Sequence, residues 1–237
     1  MSQIAGDSVA GQSMPSEATT KVTKALLACG VIAGPLFMVV SLVQAFTRPG
    51  FDLKRHAISM LSLGDLGWIQ ITNFELTGLL AIAFAFGIRR ALHPGRAGTW
   101  GPPLIGAYGL GFVIAGIFRI DPALGFPPGA PAGFNGFSWH ASLHFLGFTV
   151  AFIGLIAACF VFARRFASLH LRGWSAYCAA SGVAAIALIA LGNASVIATS
   201  VAYAVMGVVT SGWIALVALR LLREQDEASR SRAERLV

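Results

Sequence analysis

The sequence predicts an all-α integral membrane protein: a bundle of six transmembrane helices, both termini cytoplasmic, with two structured extracytoplasmic loops. Three observations carry that fold class. Of the 237 residues, 56% are hydrophobic and only 11% charged, with a mean hydropathy of +0.74, which is too apolar for an ordinary water-soluble domain. Six apolar runs reach the roughly 20 residues that a spanning helix needs. Of the 17 Lys and Arg residues, 13 fall in the tails and connections of one side and 4 on the other, which puts the basic side in the cytoplasm. The formal net charge of +7 has the same topological cause, so nucleic acid is set aside as a partner and the lipid bilayer takes its place.

Residues 1–23 are polar, rich in Ser and Gly, and have no apolar stretch behind a short basic start. They read as a disordered cytoplasmic tail and not as a cleaved signal peptide. The membrane domain covers 24–222, with spans at roughly 25–46, 67–88, 101–118, 141–163, 174–192 and 196–219. The tight LGNAS turn at 191–195 makes the last two spans an antiparallel hairpin. Gly106, Gly109, Gly111 and Gly116 in the third span, with Gly147 and Gly154 in the fourth, are small residues at which helices can approach closely. Residues 223–237 form a cytoplasmic tail of mixed charge, a solvated extension of the last helix. Cys29, Cys159 and Cys178 lie inside apolar runs, so no disulfide framework is expected.

The connections on the two sides differ in chemistry. Tails aside, the only acids are Asp52, Asp65, Glu75 and Asp121, and none falls in a cytoplasmic connection. The outer loops, 47–66 and 119–139, carry both signs of charge, and their Pro and Gly turns favour a defined cap over a floppy linker. Trp68 and Trp139 fall at the outer interface, where indoles anchor helices.

Three constellations could carry chemistry there. His140 and His144, four apart at the start of span four, share one helical face. With His56 as a third ligand they could hold a zinc ion with an open position, Asp121 and Ser59 orienting or deprotonating its water. The plainer alternative is that the histidines hydrogen-bond the loop backbone. Arg55, Asp52, Arg119 and Asp121 form the second set, either locking the two loops by salt bridges or, through the arginines, gripping a phosphate or carboxylate headgroup beside Trp68. Glu75 is the third, about 12 Å into span two at 1.5 Å per residue. A carboxyl at that depth should face the bundle interior, as a proton or cation site or as a hydrogen-bond partner of Ser41, Gln44 or Asn193. Gln70, Asn73 and Thr77 on a neighbouring stripe make span two the most polar of the six. No phosphate-binding glycine loop, nucleophile elbow or CxxC pair is present.

The segments RPGFDLKRHAISMLSLGDLGW, NFELTGLL, FRIDP, GFPPGAP and SWHASLHFLGF, in that order, resemble a family of bacterial membrane proteins, the domain-of-unknown-function family 998, over about residues 25–220. The resemblance implies a six-helix protein of the bacterial inner (plasma) membrane and brings no reaction with it. The set of one Ser, one Asp and three His is also similar to the zinc site of the seven-span alkaline ceramidases and adiponectin-type receptors. Here, however, His56 precedes Ser59, and the His pair opens the fourth of six spans. Three functions stand as expectations: a protein that binds a small or lipid ligand in a polar outer pocket, a zinc-type lipid or ester hydrolase at the outer leaflet, and a proton-coupled transporter using Glu75.

Overall fold

The computed structural model describes residues 17–193 and 195–235. Its helices are α1 (Glu17–Thr47), α2 (Gly67–Leu92), α3 (Arg96–Ile117), α4 (Trp139–Ser168), α5 (Arg172–Gly192) and α6 (Val196–Glu234), with a short 3-10 turn at Ile58–Ser62 between α1 and α2. All six are long and apolar enough to cross a membrane, so the chain is a multi-pass membrane protein. Residues 1–16 of the expected tail lie outside the described residues, but 17–23 are helical: Glu17 and Lys21 pair at 2.7 Å one turn apart on the first turns of α1. Ala194 of the LGNAS turn is likewise not described.

Helices adjacent in the chain pack side by side, and α1 packs on α6, so the six close into a ring. Leu27, Phe84, Ile105, Leu155, Phe162, Trp213 and Val217 fill its interior. The outward faces are as apolar as the inward ones, with Val39, Leu79, Phe86, Ile117 and Ile153 all exposed. That suits a surface meeting hydrocarbon and not water. Glycine lets the walls come together. A Cβ on Gly78 of α2 would lie 2.6 Å from the carbonyl oxygen of Gly109 of α3, and the reverse holds at the same distance. Gly111 and Gly147 bring α3 to α4 in the same way, whereas Gly106 has nothing within 4 Å and makes no such contact.

The ring has two unlike ends. At one, loops 48–66 and 118–138 fold over the bundle as a cap. At the other, where both termini emerge, lie the tight 93–95 and 169–171 connections. The charged extension of α6 is fastened down at that end: Arg165 of α4 meets Glu224 at 2.7 Å, Arg220 shares Glu224 at 3.2 Å, and Lys24 of α1 meets Asp226 at 2.7 Å.

Candidate functional site

The cap begins where the apolar run of α1 stops. Arg48, the first residue past the helix, lies one turn above Gln44 and reaches back over the bundle. Its guanidinium donates to the carbonyls of Leu61 at 2.9 Å and Leu63 at 2.6 Å and to Gln44 Oε1 at 3.2 Å, with its cation 6.0 Å above the Phe126 ring. Burial lowers the Arg48 pKa while the Asp65 carboxylate raises it, and the side chain remains a cation. One arginine thus satisfies the orphan carbonyls of the 3-10 turn and joins the first loop to the second.

His56 makes the other tie. Its Nδ1 accepts the Asp52 N–H at 2.9 Å, which leaves Nε2–H to donate to the Leu124 carbonyl in the second loop at 3.1 Å. The residue is 3% exposed. Its ring sits 5.3 Å from both Phe51 and Phe126, and Met60, Leu63, Ile120, Ala123 and Phe126 build a small second core around them. Both ring nitrogens of His56 are therefore committed to the backbone.

The other expected site residues are dispersed. Asp121 gives both carboxylate oxygens to Ser138, accepting from its N–H at 2.7 Å and its hydroxyl at 2.6 Å, while Ser138 Oγ in turn accepts the Ala141 N–H and caps α4. His144, 3% exposed, donates from Nδ1 to the carbonyls of Ala115 and Phe118, at 3.0 and 2.9 Å. His140 is exposed and stacks on Trp139, with ring centroids 3.5 Å apart. Among the described residues no group of three His, Cys, Asp or Glu is placed to hold one ion. The salt bridges expected between the loops do not form. Asp52 accepts the Lys54 N–H, Arg55 reaches only the Leu124 carbonyl at 3.4 Å, and every ion pair among the described residues lies on the helices of the opposite end. Backbone carbonyls, reached in a tight cap, replace the carboxylates as partners. Arg119 is exposed, and Trp68 is 62% exposed on the outer surface of α2, apart from the other candidates.

Glu75 is half-buried, with Oε1 closed off against Gly116 of α3 and without a hydrogen-bond partner among the described residues. It does not join the α2 polar stripe. That stripe turns to α1 instead: Gln44 donates to Gln70 Oε1 at 2.7 Å, Gln70 to Ser41 Oγ at 3.0 Å, and Asn73 to the Phe37 carbonyl at 3.1 Å. A ladder of neutral amides thus descends from Arg48 into the bundle. Its lower end leaves Asn73 Oδ1 and Thr77 Oγ1 buried and unpaired.

Beneath the cap lies a cavity of ≈ 80 Å³, and its walls are apolar. Phe37, Phe74, Phe112, Phe148 and Phe152 line it, Ala57 to Ser59 of the first loop roof it, and α6 contributes residues between Tyr203 and Ser211. Arg55, Asp121 and the His pair take no part in its wall. Three deeply buried hydroxyl side chains also line it: Tyr108, 1% exposed, Thr210, 2% exposed, which donates to the Met206 carbonyl at 2.8 Å, and Ser211, 4% exposed. The sequence reading missed Tyr108 and Ser211, since a hydroxyl inside an apolar run reads as helix packing. The signal available was that Tyr108 stands amid the glycines of span three, where the helix surface is left open.

A family model described as "Protein of unknown function (DUF998)" matches residues 31–221. No curated protein and no solved structure matches the chain.

Proposed function

The chain belongs to this family of membrane proteins of unknown function, and we propose that it is a non-enzymatic binding protein for a neutral, mainly apolar ligand. The ligand inserts a small ring or the end of a chain into the chamber under the cap. The observation that carries this reading is a chamber walled by aromatic side chains, with the hydroxyl-bearing Tyr108 and Ser211 in its wall and no charged group. A guest with one hydrogen-bonding group beside an apolar body would bond to the Tyr108 hydroxyl and pack against the aromatic wall. The wall carries no carboxylate, ammonium, guanidinium or imidazole, so a charged guest would lie there uncompensated. In this reading the cap faces the extracytoplasmic side and both termini the cytoplasm, which follows from the basic residues gathered at the tail end.

The hydrolase reading has less support. His56 would have to give up two backbone bonds to bind zinc, and Asp121 its grip on the α4 cap. Glu75 as a proton site rests only on its one closed-off oxygen and does not touch the cavity.

Organic extraction of the purified protein followed by mass spectrometry of co-purified small molecules tests the proposal. Wild type should retain a defined neutral species. Tyr108→Phe should hold it about fivefold more weakly, the value of one neutral hydrogen bond, and Ala204→Leu, which fills the chamber from α6, should lose it. Retention unchanged in the folded Ala204→Leu variant would place any ligand elsewhere and end the reading.

A further inference from the structure

A second concavity lies at the opposite end of the bundle, between the start of α3 and the end of α4, and does not depend on the chamber under the cap. It measures ≈ 500 Å³, with Arg96, Trp100, Val161, Arg164 and Ser168 among its lining residues. Most basic side chains near it are already engaged. Arg165 and Arg220 share Glu224, Lys24 holds Asp226, Arg89 donates to the Gly98 carbonyl and Arg90 to Thr23 Oγ1. Arg96 and Arg164 are different: both are exposed and neither has a carboxylate within reach among the described residues. They stand on opposite walls of one groove.

The groove is also graded along the bundle axis. Arg96 and Arg164 form its rim. Trp100, one turn further along α3, and Val161, three residues back along α4, put apolar surface about 4.5–6 Å deeper at 1.5 Å per residue. The rim has two cations and the first-turn amides of α3, whose cap Gly95 offers no side chain to cover them. Trp100 is 61% exposed, as an indole at the edge of the hydrocarbon would be.

The geometry points to a binding groove for one anionic phospholipid, its phosphate between Arg96 and Arg164 and the start of an acyl chain along Trp100 and Val161. Charge complementarity favours an anionic over a zwitterionic headgroup, because no carboxylate lines the groove to receive a choline or ammonium. A free phosphate would match the rim but leave the apolar floor unused.

Native mass spectrometry of delipidated full-length protein, titrated with phosphatidylglycerol or phosphatidylcholine, tests this. Each arginine near a membrane surface contributes a factor of about five, so Arg96→Ala with Arg164→Ala should weaken phosphatidylglycerol binding about 25-fold. Arg223→Ala with Arg230→Ala, which removes the same charge from α6, should leave it unchanged. Both pairs are exposed, and equal thermal midpoints would show that the variants fold. The proposal fails if the Arg96/Arg164 variant binds as wild type does, if the α6 variant loses as much, or if phosphatidylcholine binds as tightly. It also fails if millimolar inorganic phosphate displaces the lipid completely, since that marks a soluble-anion site.

Discussion

Replacing Arg48 by Ala is expected to loosen the cap, because this residue ties the end of α1 to the 3-10 turn and the first loop to Phe126 of the second. Two of its bonds, to the carbonyls of Leu61 and Leu63, are charge-assisted and shorter than 3.0 Å. Such bonds contribute about 1.5–3 kcal/mol each. Removing the guanidinium also relieves the cost of half-burying a cation, which offsets about 1–2 kcal/mol. A net loss of about 3 kcal/mol remains, or roughly 6–12 °C in thermal midpoint for a chain of this size. The assay pairs the midpoint in detergent with labelling of a Met60→Cys variant by a membrane-impermeant maleimide. Met60 is 2% exposed in the second core, so it should react only once Arg48 has been replaced. Asp65→Asn is the control: it removes the nearby carboxylate and should shift the midpoint by less than about 2 °C. If Asp65→Asn costs as much as Arg48→Ala, or if Arg48→Ala leaves both readouts unchanged, the carbonyl tie is refuted and the loops are held by ion pairing after all.

Other substitutions separate the remaining interpretations. His56→Ala should cost about 2–4 kcal/mol through two lost backbone bonds and a lost ring cluster, while His140→Ala stays within about 0.5 kcal/mol. Equal losses at both, together with destabilisation by a chelator, would restore the shared-metal reading. Gly111→Ala should prevent accumulation of folded protein, because the new methyl would press on the Gly147 carbonyl, a backbone group that cannot swing aside. Gel filtration showing a normal, stable Gly111→Ala protein would contradict the packing of α3 on α4. Gln70→Leu removes the rung that both Gln44 and Asn73 use and should cost about 2–3 kcal/mol in thermal unfolding. A neutral result would mean that water satisfies the ladder.

The architecture was legible because a hydrocarbon solvent leaves few alternatives. Each apolar run had to be a helix, and the expected second span began at the observed Gly67. The ends were legible less well: α1 and α4 run beyond their apolar stretches, since helix propensity and pairs such as Glu17–Lys21 continue where hydropathy stops. At the cap, the sequence marked the right loops but not their partners. His56, Asp121 and Arg55 were read as converging on a ligand, and the fold turns them toward carbonyls, an amide and a helix cap. That choice depends on where Leu124 and Ser138 come to rest, which no local pattern records. Arg48 stood out in the sequence as a cation on the outer side and was expected to pair with Asp52, Asp65 or Asp121, whereas its guanidinium donates to two carbonyls and Gln44. The chamber is the least legible feature, as it is assembled mainly from ordinary Phe, Gly and Ala residues on five helices and the first loop and owes nothing to any single motif.

The closure of the ring by α1 against α6 has a consequence for biogenesis. The other main interfaces join helices made one after the other, so each can form while the chain is still being synthesised. The α1–α6 seam has to wait. Until α6 arrives, Phe37 and the flank of Gly34 face lipid, and the chamber is an open furrow along the side of a five-helix intermediate. Its last wall, Tyr203 to Ser211, comes from the final helix. A hydrophobic guest could therefore be enclosed during assembly without crossing the finished cap, and a chain cut short before α6 would have the roof of the chamber and no way to close it.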